Sequence, residues 1–468
     1  MRLLRLLCLL HFAVAAAPAL AGSIAIDRYS ELDGSFNPSI PGRVPVLFDQ
    51  PGTALTDIGV NAFSDPVDGR ITSVAQVDIN NADANLVGIG LARHLYTGAI
   101  DTSFQGTGKR VKDAFLTSVV DACIDPNGRI VVAGMTPGAN GSAGAKDLAL
   151  VRFNANGSDD LTFAGDGGVA FTYNDGFGES DEGIRDLDCL PNGNLLIAGW
   201  YEDVSGRNGF LAEMPANGDA STVRGYSTGT GAGNDSTITS ATAVGNNVVA
   251  TGHIFGDTNY ASMIFLSPNG AGYSVTPGLA QQNLGAGNLP CNNPAAPQLF
   301  GVTALTNTDF VFSGLRDSGG GLNVPMLVRV QFGEAVLVSC TDVANGVNNA
   351  YVTPPVALGN LVVVAAGFQP FGSGPLTSRL SGFVAPSNGG ALTVAPGFGI
   401  AGLAQWSYPY SSASANNNRS FVQRLYIDPA YSLMAVGTRV WNGNDSDVAI
   451  ARFGSAGLFN NGFETPIE

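Results

Sequence analysis

The side chains best suited to chemistry in this chain are aromatics set beside carboxylates. They gather in three stretches: WYEDVSGRNG (Trp200, Tyr201, Asp203), HIFGDTNY (His253, Phe255, Asp257, Tyr260) and TRVWNGNDSD (Trp441, Asp445). Trp406, Tyr408 and Tyr410 belong to a longer connection of the same character. Flat rings beside hydrogen-bonding groups suit a sugar or a protein partner. Taken singly, each ring is more simply a cover for the end of a sheet; only the grouping raises a binding reading. Carboxylates also come in near pairs, Asp175 with Glu179 and Asp181 with Glu182. A glycoside hydrolase needs two carboxyl groups about 5 to 9.5 Å apart. Sequence proximity does not fix that distance, and a solvated acidic loop is the simpler reading.

Other chemistries lack their residues. No Gly-x-Ser-x-Gly, His-Glu-x-x-His or phosphate-binding loop occurs. A Ser-His-Asp set would have to use His253 or His94, and His94 follows a recurring arginine that reads as structural. No Cys-x-x-Cys is present, so zinc is not expected. NDGFGESDE and NGNDSD offer oxygen ligands for calcium, yet neither matches an EF-hand loop or a nonapeptide calcium repeat. No metal or cofactor is expected, with calcium the alternative kept open.

These residues must be positioned by a repeat. Leu116 to Tyr173 holds four apolar runs: strand A (Ser118 to Ile124), B (Ile130 to Gly134), C (Leu148 to Phe153) and D (Val169 to Tyr173). Strand B ends on glycine again at Gly199, Gly252, Gly314, Gly367 and Gly437, with Ala75 in the first copy. The mean step is about 60 residues, and a fixed period of this kind marks a repeat architecture. Strand C carries an arginine near its end: Arg28, Arg93, Arg152, Arg329, Arg379 and Arg452, with Glu213 and Leu266 in two copies. Asp-x-x-Phe follows in three copies, Asp33 to Phe36, Asp101 to Phe104 and Asp160 to Phe163. An arginine in constant register is most simply a structural ion pair, with that aspartate as the partner. Gly134, Arg152, Asp160 and Phe163 therefore read as structural.

RIVVAG followed by DLALVRFNANGSDDLTFAGDG resembles the delta-60 repeat family of bacterial secreted proteins. LARHLYTGAIDTSFQGTG and DRYSELDGSFN match the second half of that unit, and the resemblance spans residues 24 to 200. It implies a β-propeller and carries no agreed chemistry.

The residues lead to the same all-β fold independently. Strands B and D are apolar at nearly every position, as in IVVA and VAFTY, which calls for sheets covered on both faces. The last repeat lacks a D strand, while the N-terminal region supplies a D-like run, Arg43 to Phe48. Pairing that run into the last repeat would close a ring of seven four-stranded blades and cover its edges. Eight blades or a solenoid are the alternatives. The expected organisation is a signal peptide over 1-21, closing strands over 22-54, the propeller over 55-457 and a tail over 458-468.

Four cysteines remain after the leader. Cys123 and Cys189 hold nearly the same place on successive A strands, and Cys291 and Cys340 flank one repeat. The expected disulfides are Cys123 to Cys189 and Cys291 to Cys340, with two buried thiols the alternative for the first pair. The leader itself, MRLLRLLCLLHFAVAAAPALAGS, has Arg2 and Arg5, an apolar run and Ala19-Leu20-Ala21, the layout of a signal peptide. The run is too short for a membrane span. Its removal takes the formal charge from -16 to -18, and no basic cluster forms, so nucleic acid is not an expected partner. The sequence thus predicts an exported, extracellular or periplasmic monomer that acts as a non-catalytic scaffold. It would bind a glycan or a surface protein through its B-to-C and D-to-A connections. The alternatives are a glycoside hydrolase or lyase with paired carboxylates at the central mouth, and a structural or adhesive surface protein.

Overall fold

The computed structural model describes residues 31–49, 56–65, 67–79, 85–138, 145–173, 181–204, 206–228, 235–255, 260–269, 272–276, 282–284, 295–317, 323–332, 337–343, 351–368, 377–399, 402–405, 420–441 and 445–454. The expected signal peptide and Arg28 lie outside the described residues. Within them the regular structure is strand apart from one 3-10 turn, Ala220–Thr222.

In chain order the strands are β1 (Arg43–Val46), β2 (Asp57–Ser64), β3 (Ile71–Asp78), β4 (Val87–His94), β5 (Lys109–Leu116), β6 (Ser118–Ile124), β7 (Ile130–Pro137), β8 (Lys146–Phe153), β9 (Gly168–Phe171), β10 (Glu182–Cys189), β11 (Leu195–Asp203), β12 (Gly206–Met214), β13 (Arg224–Ser227), β14 (Asp235–Val244), β15 (Asn247–Phe255), β16 (Tyr260–Asn269), β17 (Gly272–Val275), β18 (Gln282–Leu284), β19 (Ala295–Thr306), β20 (Asp309–Asp317), β21 (Asn323–Gln331), β22 (Leu337–Asp342), β23 (Tyr351–Val352), β24 (Val356–Leu358), β25 (Leu361–Phe368), β26 (Thr377–Val384), β27 (Thr393–Val394), β28 (Leu403–Gln405), β29 (Ser420–Ile427), β30 (Leu433–Trp441) and β31 (Asp445–Phe453).

Four sheets have four strands each: β2 to β5, β6 to β9, β19 to β22, and β1-β31-β30-β29. A fifth runs β23-β25-β26-β27, with β24 on β25 and β28 on β26. The sixth joins two antiparallel halves, β10 to β13 and β14 to β17, through one parallel bridge, Gly225 to Gly272. β1 pairs antiparallel with β31, Arg43 opposite Ala451, so the N-terminal segment completes the sheet formed by the end of the chain.

Strands B and C are apolar on both sides because both sides are covered, and alternate residues face opposite neighbours. Ile130 and Val132 of β7 pack with Ile89 and Leu91 of the preceding sheet. Val131 and Ala133 pack the other way, with Ile197 and Phe210. The same stacking continues through Ala198 on Ala250, Val249 on Phe312, Val311 on Val364 and Val363 on Ala435. It then returns: Val436 and Ile450, with Val44 and Val46, pack on Ala75 and Val77 of β3. Sheets stacked face to face in a cycle form a β-propeller.

A recurring lock fastens neighbouring sheets. Arg152 Nε donates to Asp160 Oδ2 at 2.7 Å, its guanidinium lies 4.5 Å from the Phe163 ring, and Nη1 donates to the Ala216 carbonyl of the following sheet. Arg93 repeats this with Asp101, Phe104 and the Ala155 carbonyl. Phe104 in turn lies where a Cβ on Gly157 would be 2.3 Å away. Where the sequence has Glu213, the charges are exchanged: Glu213 accepts from Arg224 and from Tyr273 Oη of the neighbouring half-sheet.

Cys123 and Cys189 form a disulfide between β6 and β10, with a Cα separation of 5.6 Å. Cys291 lies outside the described residues, and the second expected pairing with it.

Candidate functional site

The site begins with a defect in the innermost strands. β2, β6, β10, β14, β19 and β29 each carry a register shift at the same place: Gly59/Asn61, Val119/Asp121, Ile184/Asp186, Ile238/Ser240, Leu299/Gly301 and Val422/Arg424. One extra residue bends the strand and re-aims the side chain that follows. The glycine that ends strand B faces this bulge. Gly199 pairs with Ile184 and Gly437 with Val422, and a Cβ on them would lie 2.1 Å from Gly183 O and 1.8 Å from Phe421 O. The glycine marker in the sequence is therefore the imprint of a bulge.

The re-aimed residues Asn61, Asp121, Asp186, Ser240 and Arg424 meet around one cavity of about 530 Å³. It is walled by the C-terminal halves of the innermost strands, with Pro354 and Pro355 on the β23–β24 side. Arg424 Nη2 donates to Asp121 Oδ2 at 2.5 Å and to Asp186 Oδ1 at 3.0 Å. Asn61 Nδ2 donates to Asp121 Oδ1 at 3.1 Å. Each carboxylate also accepts an N–H from the next sheet, Asp121 from Leu187 at 3.1 Å and Asp186 from Ala241 at 2.8 Å.

Charge in this cluster is unbalanced, since Asp121, Asp186 and Asp188 share one guanidinium. Burial and the like charge of Asp186, opposed by Arg424, push the Asp121 carboxyl up to about 7. Burial, then Asp186, push Asp188 up to about 6. The cluster can therefore take up protons near neutrality.

Of the aromatic set expected from the sequence, the structure describes the side chains of Trp200 and Tyr201, and neither stands on an exposed loop. β11 and β12 run on until only residues 204–205 separate them, so Trp200 and Tyr201 lie inside β11 and are each 8% exposed. Backbone pairing needs no apolar side chains, which is why the hairpin outruns the hydrophobic signal. Trp200 stacks under Arg207, 3.8 Å from ring centroid to guanidinium, and Tyr201 Oη shares a hydrogen bond with Ser227. Asp203 ends β11. His253 lies in β15, where burial, then Arg185 and Arg207, lower its pKa to about 4. Phe255, Tyr260, Trp441 and Asp445 have their backbones in strands, while their side chains, with Asp257, Trp406, Tyr408 and Tyr410, lie outside the described residues. Asp175 and Glu179 do also; Glu182 is buried and accepts the Tyr173 N–H.

Among the described residues, one group of carboxylates bears on metal binding. Asp49, Asp57 and Asp447 place one oxygen each within 4.8 Å of one another. Asp57 accepts the Phe48 N–H at 2.6 Å and Asp447 accepts from Arg439 at 2.7 Å, so two of the three already serve protein groups. No helix among the described residues is long and apolar enough to cross a membrane.

The residues missed from the sequence were Asn61, Asp121, Asp186 and Arg424. Their trace in the sequence is a polar side chain in the middle of the A strand, recurring near the repeat spacing.

No protein-family model matches the chain, and no curated protein matches it. Among solved structures it is similar to the β-propeller domain of the Trilobed protease from Pyrococcus furiosus, with 8% identity over 84% of this chain and 95% of that one and a TM-score of 0.41. It is similar to an acylaminoacyl peptidase from Pyrococcus horikoshii at 9% identity and a TM-score of 0.40, covering 93% of this chain and 56% of that one. It is also similar to Drosophila Semaphorin 2a, at 8% identity over 89% and 75% of the two chains and a TM-score of 0.40. At these scores the likenesses carry no argument about function.

Proposed function

We propose that the chain is an exported seven-bladed propeller of the delta-60 repeat type, acting as a non-catalytic scaffold that binds a glycan in its central cavity. The blades would be the six sheets with the double sheet counted as two, and β1 would close the ring. The leader sequence and the disulfide support export. The observation that carries the binding reading is the convergence of Asn61, Asp121, Asp186, Ser240 and Arg424, from separate strands, on one cavity of about 530 Å³. That volume falls within the range of about 300 to 1,000 Å³ typical of ligand pockets. Its walls offer hydroxyl, amide, carboxylate and guanidinium groups beside the flat faces of Pro354 and Pro355, a mixture suited to a hydroxylated ring. A concave site favours a glycan over a surface protein.

The enzyme reading retains one supporting observation, two carboxylates at the central mouth with Asp121 raised to about 7. Against it, Arg424 bonds both carboxylates and so occupies the gap a glycosidic bond would need. Glycan-array binding of the intact chain against Thr242→Trp, which fills the cavity from its wall, tests the proposal. Binding should fall at least tenfold with the melting temperature retained; unchanged binding rejects the cavity as the site. Turnover of aryl glycosides by the intact chain, lost in Asp121→Asn, would establish the enzyme instead.

A further inference from the structure

The charged groups lining the central cavity are three carboxylates and one guanidinium: Asp121, Asp186, Asp188 and Arg424. Arg424 is engaged by two of the three, 2.5 Å from Asp121 Oδ2 and 3.0 Å from Asp186 Oδ1. Asp188 stands two residues beyond Asp186 on β10, so strand alternation turns it to the same wall. It accepts the backbone N–H groups of Cys189 and Ala243, and among the described residues it has no ion-pair partner. Arg185, the extra residue of the β10 bulge, does not line the cavity.

A half-buried carboxylate that faces a cavity without a counter-ion is unfavourable. The molecule by itself relieves this only by holding a proton, which is why burial, then Asp186, raise Asp188 to about 6. A cation brought by the ligand would relieve it directly. A calcium ion takes about six to eight oxygen ligands, whereas Asp121 and Asp186 are already bonded to Arg424 and leave one carboxylate. An ammonium group has three N–H donors. Asp188 can take one, and Ser64, Thr242 and Tyr426 put hydroxyl groups on the same cavity. We propose that the ligand of this cavity carries a primary ammonium group that pairs with Asp188. The inference rests on the cavity being the binding site proposed above, and with a glycan there it specifies an amino sugar with a free amine. A short polyamine carries the same group and is the other source. The net charge of -16 favours the approach of either.

Calorimetric titration of the full chain with glucosamine trisaccharide, its N-acetylated counterpart and spermidine, in low-salt buffer near neutral pH, tests it. The free-amine sugar should bind about tenfold more tightly than the N-acetylated one. That preference should vanish in Asp188→Asn, with the melting temperature retained, and persist in Asp166→Asn, which removes an exposed carboxylate elsewhere. Saturable binding of spermidine, lost in Asp188→Asn, with neither sugar bound would keep the ammonium and reject the glycan. Equal binding of the two sugars, both lost in Thr242→Trp, would keep the glycan and overturn the ammonium. Absence of binding by both amines, or a preference that survives in Asp188→Asn, also overturns the proposal, whatever neutral glycan an array identifies.

Discussion

Arg452 Nη2 lies 2.7 Å from Asp33 Oδ2, although 419 residues separate them. Ser35 and Phe36 flank the same guanidinium, so the first Asp-x-x-Phe of the chain serves its last arginine. Both partners are almost wholly buried. Asp33→Asn should therefore destabilise the fold by about 3–5 kcal/mol, the cost of leaving a buried charge unpaired. Urea denaturation checks this. A loss within 1 kcal/mol would mean that the pair behaves as a surface bridge and contributes little to closing the ring.

This pair also marks how far the sequence could be read. The lock residues were legible because Arg93 and Arg152 recur in register with Asp101 and Asp160, and nearby partners leave a local pattern. That Asp33 serves Arg452 was not read: the pattern set Asp33 after Arg28 of its own copy, and only the run at Arg43 was matched to the missing D strand of the last repeat. The central site was not legible in the same way. Asp121 and Asp186 look like ordinary polar interruptions until the bulges align them, and Arg424 meets them across more than two hundred residues. Trp200 and Tyr201 misled because composition marks a loop, whereas strand length is set by backbone pairing.

The bulge accounts for the glycine marker, and that is open to test at Gly437. An added Cβ would lie 1.8 Å from the Phe421 carbonyl oxygen, a backbone atom that cannot rotate away. Gly437→Ala should cost about 1–3 kcal/mol as an overpacking change. Ala75 stands at the same place in the first repeat, opposite Gly59, so Ala75→Gly should cost less than Gly437→Ala. Equal effects in thermal melts would remove the bulge as the reason for the glycine.

The Cys123–Cys189 disulfide joins innermost strands of neighbouring blades and spans 66 residues of sequence. It restrains the unfolded chain more than it shapes the folded one. Replacing both cysteines with alanine should lower stability by roughly 2–4 kcal/mol while near-ultraviolet circular dichroism stays native in form. A variant as stable as the intact chain would show that the strand ladders alone hold these two blades in place.

Proton binding at the central cavity should give stability an unusual dependence on pH. Asp121 and Asp188 have folded pKa values raised to about 7 and about 6, against roughly 3.9 in the unfolded chain. The folded state then holds protons that the unfolded state has released, so their contribution is greatest near pH 4 and is lost as pH rises through 7. His94 and His253 act in the opposite sense. Burial lowers both to about 4, so the unfolded chain takes up protons below roughly 6.5 and stability falls as pH drops toward 4. The two trends oppose each other, and the intact chain should show a shallow profile between pH 4.5 and 7.5. Asp121→Asn removes the largest shift on the carboxylate side and leaves the histidines less opposed. Its stability should therefore fall on acidification more steeply than that of the intact chain, with the difference growing as pH drops through 7. Urea titrations at intervals across this range measure that difference directly; parallel profiles would mean that Asp121 stays ionised beside Arg424 and that the cluster holds no extra proton.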